Sequence, residues 1–258
     1  MSGVEESRSR GVEEDAALRL FSTPRLLDSS TRVSVVGNLC VDLVVRGVAA
    51  LPGWGEEVVG TGHEARSAGQ GFILAAALAR LGAEVALVST VGDDGFGRQV
   101  LADLDRFGVD RTGVEVVPGP TGLTVAAVRP DGERAFLSSF GSQGRIDADL
   151  LRRQAGRIEG AGVVCLVGQF CLPAFAPADA AALLGAANTR GAVTALDTGW
   201  DPAGWPPERV AAVRGLLPLV DLFLPNADEA AALTGEPDPA PAAARLREDG
   251  AGAVVVKR

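Results

Sequence analysis

Carboxylate and amide side chains stand at or near the ends of several apolar runs in this sequence. Asp197 closes one run, and Asn226 and Glu229 directly follow another. Asp42 lies inside a third run, where a carboxylate is costly unless it is hydrogen-bonded or faces a ligand. Parallel sheets bind ligands beyond the carboxyl ends of their strands. We therefore expect these four side chains to meet a polar ligand at one sheet edge; the alternative for Asp42 is an ordinary turn or strand-end residue.

A glycine-rich turn, Gly69-Gln70-Gly71, opens directly into an alanine-rich run at residues 72–81. This run is apolar on nearly all sides, which predicts a helix buried between layers. The N–H groups and positive dipole at the helix start could receive an oxygen-rich ligand. A dinucleotide-binding loop would need a third glycine in place of Leu74 and a buried strand just before the turn. An oxidoreductase of that kind is therefore the weakest alternative.

Other polar positions have ordinary explanations when each is taken alone. Asp93 and Asp94 suit the cap of the helix that follows them. Asn226 and Glu229, three residues apart on one helix face, could be a cap and a solvated charge. His63 is the only histidine, which argues against a Ser-His-Asp triad and against a structural metal site.

The composition indicates a globular, cytoplasmic protein. The 258 residues, 47% of them hydrophobic, suffice for one large α/β domain. A net charge of −9 without clustered Lys or Arg argues against nucleic-acid and anionic-membrane partners. No apolar run has membrane-spanning length, and we expect no signal peptide. The unpatterned cysteines Cys40, Cys165 and Cys171 suit buried, reduced thiols.

Strands and helices are expected to alternate along most of the chain. Strands are predicted at residues 33–36, 39–45, 85–91, 163–167, 193–197, 219–224 and 253–256. Helices are predicted at residues 72–81, 95–107, 147–158, 177–190, 208–217, 227–234 and 240–248. This alternation predicts a parallel sheet covered on both faces. Two segments break it, about 46–66 with a strand at 56–61 and about 121–140 with a hairpin, and these predict a small lid sheet. The polar residues 1–31 are typical of a frayed tail.

The motifs are far more specific together than singly. They are Gly37-Asn38 with Asp42, Ala68-Gly69-Gln70-Gly71 before Leu81-Gly82, Val91-Gly92-Asp93-Asp94, Asp131-Gly132-Glu133-Arg134, Asp197, and Leu224-Pro225-Asn226 with Glu229. In order and spacing the chain resembles the ribokinase/PfkB family of carbohydrate kinases, from about residue 33 to its last residue. The resemblance implies an α/β fold, a ribokinase-like three-layer sandwich with a mostly parallel central sheet and a small β-lid. It implies transfer of the γ-phosphoryl group of ATP, with Mg²⁺, to a sugar or nucleoside hydroxyl, and it allows a homodimer through the lid.

The resemblance also assigns roles to residues. On the substrate side it places Asn38, Asp42, Gly69, Gln70, Gly71 and Ile73. On the ATP side it places Asp197, Asn226 and Glu229, with Glu229 acting indirectly through Mg²⁺. No catalytic base is assigned, because the family's G-A-G-D element with its aspartate would lie beyond Arg258. We therefore expect residues 32–258 to be a kinase domain without its C-terminal catalytic segment, weakly active or inactive.

Three departures from the family pattern bear on the substrate and on activity. Ile73 stands where the family usually has a sugar-contacting asparagine, and Ala68 replaces the first glycine of a Gly-Gly pair. Asp197 is followed by Thr198-Gly199-Trp200-Asp201, where the family often has Asn and Arg. The alternative to a kinase is a non-catalytic sugar-binding pseudokinase. The sequence does not specify which sugar or nucleoside is bound.

Overall fold

The computed structural model describes residues 31–257, so the expected tail lies outside the described part except for Thr31. The strands are β1 (Arg32–Gly37), β2 (Cys40–Arg46), β3 (Gly62–Ala68), β4 (Glu84–Gly92), β5 (Asp110–Val117), β6 (Gly122–Val128), β7 (Arg134–Ser139), β8 (Val163–Val167), β9 (Val193–Asp197), β10 (Leu222–Phe223) and β11 (Ala253–Val254). The helices are α1 (Gln70–Arg80), α2 (Gly95–Phe107), α3 (Ala148–Arg153), α4 (Ala155–Glu159), α5 (Pro177–Thr189), α6 (Pro207–Leu216), α7 (Ala227–Thr234) and α8 (Pro239–Glu248). Short 3₁₀ turns lie at Gly141–Arg145, Gln169–Cys171 and Leu217–Leu219.

Seven strands form the main sheet in the order β11-β10-β9-β8-β1-β4-β5. Each neighbouring pair runs parallel. Strands β1, β4 and β8 are apolar and buried along almost their whole length, as expected for a sheet covered on both faces. The chain builds outward from β1 first to β4 and β5, and later from β8 to β11. The order therefore reverses beside β1, and a ligand crevice is expected at the carboxyl ends of β1 and β8.

Helices cover both faces of this sheet, which confirms the three-layer α/β sandwich. On one face α1 and α2 pack Phe72, Ala75 and Leu104 onto the strands. On the other, helices α5 to α8 contribute a larger cluster that includes Leu184 and Leu246. Asp94 caps α2 as predicted, because its side chain accepts the Gly97 N–H at 2.8 Å.

A second sheet of four strands, in the order β3-β2-β6-β7, forms the lid. Strand β2 belongs to this lid and not to the main sheet, so the expectation that Asp42 lies at a carboxyl end of the main sheet is wrong. Its apolar pattern is like that of a core strand because both faces of β2 are partly covered: Val41 and Val44, which point to opposite faces, are both buried. The strand predicted at residues 56–61 is also wrong, since the pairing segment is the later and more polar β3.

Three further expectations need correction. Strand β5 was missed because its alternating sequence, DRTGVEVV, has no apolar run. The helix predicted at residues 147–158 is broken at Gln154 into α3 and α4. Helix α1 is not buried on all sides: Ile73, Ala77 and Arg80 are exposed, and their spacing places them on one face turned to solvent.

Candidate active site

The start of α1 is built against the turn that follows β1. The side-chain Oδ1 of Asn38 accepts the Gln70 N–H at 3.1 Å, and the Asn38 carbonyl accepts the Gly71 N–H at 3.1 Å. Gly69 has a φ of 97°, and a Cβ there would lie 2.5 Å from the Asn38 carbonyl oxygen. A Cβ at Gly71 would lie 2.9 Å from the same atom. Both glycines are therefore required by backbone contact, and two N–H groups of the helix start are already bonded to Asn38.

The side chain of Gln70 extends from this junction to the carboxyl ends of β8 and β9. A Cβ at Gly168 would lie 2.8 Å from Gln70 Oε1, and one at Gly199 would lie 3.0 Å from Gln70 Nε2. Gly168 and Gly199 each have a φ of 69°, the left-handed conformation that glycine adopts most readily. Gln70 therefore touches both loops that follow β8 and β9.

Asp42 lies on the lid strand β2. It lies in register with Arg66 of β3 and Thr124 of β6, and it accepts a hydrogen bond from the Cys40 thiol at 3.9 Å. Burial raises the pKa of Asp42, while Arg66 and the Cys40 thiol act in the opposite direction. The carboxylate is thus partly desolvated and has only a weak partner, as suits a group that meets a ligand.

Electrostatic coupling links Asp42 to the loops at the strand ends. Burial, with smaller contributions from Asp42 and Cys171, raises the pKa of Cys40 to about 12. Burial likewise raises the pKa of Cys171 to about 11, with a contribution from Asp197. Cys40 is therefore close to Cys171, and Cys171 is close to Asp197. All three cysteines are free thiols.

Asp197, Glu229 and Lys257 form a charged group at the carboxyl ends of β9, β10 and β11. Lys257 Nζ donates to Asp197 Oδ2 at 2.5 Å, and the other oxygen, Oδ1, accepts the Gly199 N–H at 3.2 Å. Glu229 is only 2% exposed. Burial raises the pKa of Glu229; the Asn226 N–H and Lys257 lower it, whereas Asp197 raises it.

Asn226 and Glu229 cap helix α7 reciprocally. Asn226 Oδ1 accepts the Glu229 N–H at 2.8 Å, and Glu229 Oε2 accepts the Asn226 N–H at 2.8 Å. The backbone of Lys257 holds this helix start in place, because its N–H donates to the Pro225 carbonyl and its carbonyl accepts the Ala227 N–H. Capping and ligand binding by Glu229 are compatible, since the cap uses Oε2 and does not use Oε1.

Ile73 follows two residues after Gly71, and its side chain is 61% exposed. The structure therefore places an apolar, solvent-facing group at the position where the family resemblance implies a polar sugar contact.

Sequence reasoning missed several residues of this region. Lys257 was visible as the only lysine of the chain, but its contact with Asp197 spans 60 residues. Gln169, Thr198, Asp201 and Trp205 are buried polar or aromatic side chains in the loops after β8 and β9. Their position after predicted strands was the one signal that could have drawn attention to them.

Comparison with known proteins identifies the family. Residues 30–258 match the pfkB family carbohydrate kinase model. The chain belongs to the pfkB family of carbohydrate kinases.

Individual relatives agree with this assignment. The chain is 28% identical over 204 residues to a ribokinase of Haemophilus influenzae, covering 79% of this chain and 62% of that protein. It is 31% identical over 200 residues to a 2-dehydro-3-deoxygluconokinase of Thermoproteus tenax, covering 72% of this chain and 58% of that protein. An Arabidopsis thaliana ribokinase structure, with ribose and ATP bound, shares the fold at a TM-score of 0.71 and 24% identity, covering 88% of this chain and 72% of that one. The chain thus spans about three fifths of the length of the two curated relatives.

Proposed function

We propose that this protein takes part in ATP-dependent phosphoryl transfer to a hydroxyl group of a sugar or nucleoside-like substrate. The observation that carries the proposal is a series of contacts that links side chains from three sources. These are Asp42 from the lid, Gln70 from the start of α1, and the Asp197, Glu229 and Lys257 group from the strand ends. Phosphoryl transfer depends mostly on positioning and on charge neutralisation, and a lid that excludes water limits loss of the phosphoryl group to hydrolysis.

The lid side of the crevice is assigned to the substrate. Asp42 has acceptor oxygens for substrate hydroxyls, and its raised pKa reflects a partly desolvated position. Asn38, Gly69 and Gly71 form the floor, where the absence of a Cβ at the two glycines lets the backbone of Asn38 lie against the start of α1. Gln70 and Ile73 complete the proposed substrate side.

The strand-end side is assigned to ATP and Mg²⁺, through Asp197, Asn226 and Glu229. The donor set fits the ion, because carboxylate oxygens are hard ligands of the kind that Mg²⁺ prefers, directly or through water. The ammonium of Lys257 already places one positive charge between Asp197 and Glu229. When bound, Mg²⁺ supplies charge neutralisation of the phosphate oxygens. The protein's part is to hold Asp197 through the Gly199 N–H and Glu229 through the cap of α7.

Within residues 31–257 we assign binding and positioning roles and no catalytic base. We therefore propose that the 258-residue chain transfers phosphoryl groups weakly or not at all. The test is an ATP-consumption assay on a panel of pentoses, hexoses and nucleosides, with D42A as the matched variant. Slow turnover that D42A abolishes supports the proposal, whereas robust turnover that is indifferent to D42A contradicts it.

A second candidate is a sugar-binding protein without catalysis, which the exposed Ile73 side chain favours. Calorimetric titration separates the two functions. Sugar binding that ATP and Mg²⁺ leave unchanged supports the non-catalytic protein, and sugar binding that they strengthen supports the kinase.

We also propose a cytoplasmic homodimer that forms through the lid. The three cysteines are free and the two in β2 and β8 are buried, which suits a reducing compartment. On the lid face opposite Asp42, the register brings Leu43, Ala65, Val125 and Leu137 into one row, and Leu137 is 70% exposed. L137E is expected to shift the sedimentation coefficient from dimer to monomer, with E133Q at the hairpin turn as control; an unchanged coefficient would contradict the dimer.

None of the helices in the described part of the chain is long and apolar enough to cross a membrane.

A further inference from the structure

Buried polar atoms without a protein partner are concentrated in one region of the described chain. Among residues 31–257, eight buried side-chain nitrogen or oxygen atoms lack a hydrogen-bond partner. Five of these eight belong to the start of α1 and to the loops after β8 and β9: Gln70 Oε1, Gln169 Oε1, Thr198 Oγ1, Asp201 Oδ2 and Trp205 Nε1. Buried polar groups are nearly always paired in folded proteins, so such a concentration points to a ligand. We call these five side chains the acceptor subsite.

The two loops that carry the subsite are packed on each other. The Phe170 N–H donates to the Thr198 carbonyl at 3.2 Å, and the Gly168 N–H donates to the Asp197 carbonyl at 2.8 Å. The rings of Phe170 and Trp205 meet edge to face, with centroids 5.1 Å apart. Gln70 lies against both loops through Gly168 and Gly199. The subsite is therefore continuous with the proposed substrate side of the crevice.

The loop after β9 is held in an unusual conformation. Trp205 has a φ of 59°, which is the only positive value outside glycine among the described residues. Strained backbone of this kind persists where the surrounding structure enforces it, and it is enriched at ligand sites. The buried Trp205 ring contacts the ring of Phe170 and also that of Trp200, whose centroid lies 5.9 Å from its own.

The chemistry of the unpaired atoms selects the ligand. Gln70 Oε1, Gln169 Oε1 and Asp201 Oδ2 only accept hydrogen bonds, and Thr198 Oγ1 can do so; Trp205 Nε1 only donates. Asp201 is 1% exposed, and its other oxygen, Oδ1, accepts the Ala203 N–H at 2.9 Å. A group that brings O–H or N–H donors would satisfy these acceptors. A carboxylate or phosphate group would add acceptors and a negative charge beside Asp201.

The cations around the crevice are already compensated or face solvent. Lys257 pairs with Asp197 at 2.5 Å. Arg66 lies 3.9 Å from Glu64 and also opposite Asp42. Arg209 stacks over the Phe170 ring at 5.6 Å and is exposed. None of these three cations is buried with the acceptor atoms of the subsite, since all three residues are exposed.

We propose that the acceptor subsite binds a hydrogen-bond-donating, non-anionic end of the substrate, either polyhydroxyl or ammonium-bearing, and that Asp201 is its specificity-determining residue. This inference rests on the proposed function, because it places the far end of the phosphoryl acceptor next to Gln70. Trp200 is 54% exposed and forms the outer wall of the subsite. Because the acceptor atoms are closed to solvent without ligand, the proposal requires the Trp200 ring to move aside when the ligand enters.

Tryptophan fluorescence provides a direct binding signal. The chain has three tryptophans, and Trp54 is fully exposed in the lid segment. In a W54F protein the signal comes from Trp200 and Trp205 alone. The probes form a matched set on one carbon skeleton: D-glucose (neutral), D-glucosamine (cationic) and D-gluconate (anionic), with D-ribose, D-fructose and D-ribonate as a second set. Each is titrated with and without ATP and Mg²⁺.

Two variants of the W54F protein test the residue. D201N keeps the shape of the side chain but replaces an acceptor oxygen with a donor NH₂ group, and D131N is the control at the exposed hairpin turn. We expect at least one neutral or amino sugar to quench the fluorescence, D201N to weaken its binding about tenfold or more, and D131N to leave it unchanged. If D201N weakens binding of the amino sugar alone, the subsite binds an ammonium group. If D201N weakens binding of the neutral sugar alone, the subsite binds hydroxyl groups. Thermal melting of D201N and of a second variant, Q169L, shows whether each protein is folded, so that a loss of binding is not mistaken for misfolding. Q169L removes another acceptor of the subsite, and we expect it to weaken binding as well.

The proposal is overturned if an acid of either set binds more tightly than its neutral counterpart, if D201N and Q169L bind the neutral sugars as the parent does, or if no probe binds. The first two results leave the kinase proposal standing, because a substrate is still bound. The third, together with absent binding of every sugar and nucleoside of the wider panel in calorimetric titration, removes both, because weak or absent turnover is already part of the kinase proposal.

Discussion

The ammonium nitrogen of Lys257 lies 2.5 Å from Oδ2 of Asp197, which joins two segments 60 residues apart in sequence. Glu229 lies close enough for both charges to influence its pKa. In the absence of ligand, this lysine is the counter-ion of two carboxylates that we assign to the ATP side. A divalent cation at these carboxylates would therefore compete with Lys257.

Substitution of Lys257 tests this competition. We expect K257M to lower the free energy of unfolding by about 1 kcal/mol, a modest amount because the pair is partly exposed. We also expect K257M to bind Mg²⁺ more tightly in the absence of nucleotide, since the carboxylates lose their internal cation. Urea unfolding and calorimetric titration with Mg²⁺ measure the two effects. K257R keeps the charge and should behave like the parent; equal Mg²⁺ affinity in all three proteins would contradict the prediction.

Glu229 should make stability depend on pH in an unusual direction. Its folded-state pKa is raised above the ordinary value of 4.5, chiefly by burial. The folded protein therefore holds this proton more tightly than the unfolded chain does, and ionisation costs stability as pH rises above 4.5. In E229Q the amide oxygen can still accept the Asn226 N–H, so the cap is retained. We expect E229Q to gain stability over the parent at pH 7 and to lose that advantage near pH 4, as measured by urea unfolding at both pH values; a difference independent of pH would contradict this.

Asp94 should make stability depend on pH in the direction opposite to Glu229. Burial acts to raise its pKa, but hydrogen bonds from Thr121 and Gly97 outweigh burial and lower it from 3.8. The stabilisation is therefore present at neutral pH, fully so above 3.8, and is lost as pH falls through the lower folded pKa. D94A should cost about 1–2 kcal/mol at pH 7. Asp93 accepts one backbone N–H, from Gly119 at 3.0 Å, so D93A serves as control and should cost less; equal losses would argue against the cap.

The junction between Asn38 and Gly69 predicts a steric effect that a matched glycine can isolate. A Cβ at Gly69 meets the Asn38 carbonyl oxygen at 2.5 Å, whereas one at Gly82 meets no atom within 4 Å. Their φ values, 97° and 88°, are similar, so the conformational strain is shared. We expect G69A to be less stable than G82A by about 1–3 kcal/mol in thermal or urea unfolding. If G69A and G82A lower the free energy of unfolding by the same amount, steric contact with Asn38 does not explain the need for glycine at position 69.

The sequence was sufficient for six of the seven strands of the main sheet and for part of the site. Strands β8 and β9 have the predicted bounds because their apolar runs end at clear turns. Asn226 and Glu229 are neighbours as expected, since that relation is local, but Asn226 is the N-cap residue before α7 and does not lie on the helix face. Strand β2 was misplaced because burial on a lid looks the same in sequence as burial in a core. The contacts of Lys257 and Gln70 could not be predicted, because they depend on segments that only the tertiary fold brings together.

The connections between the lid and the floor of the crevice are very short. Two residues, Asn38 and Leu39, join β1 to β2, and Gly69 alone joins β3 to α1. At about 3.5 Å per residue these connections have almost no slack. We therefore expect a rotation of the lid to move the first turn of α1 as well, because Asn38 accepts hydrogen bonds from the Gln70 and Gly71 amides. The lid and the helix start work as one mechanical unit, so amide hydrogen exchange at Gln70 and Gly71 should slow when a ligand holds the lid closed.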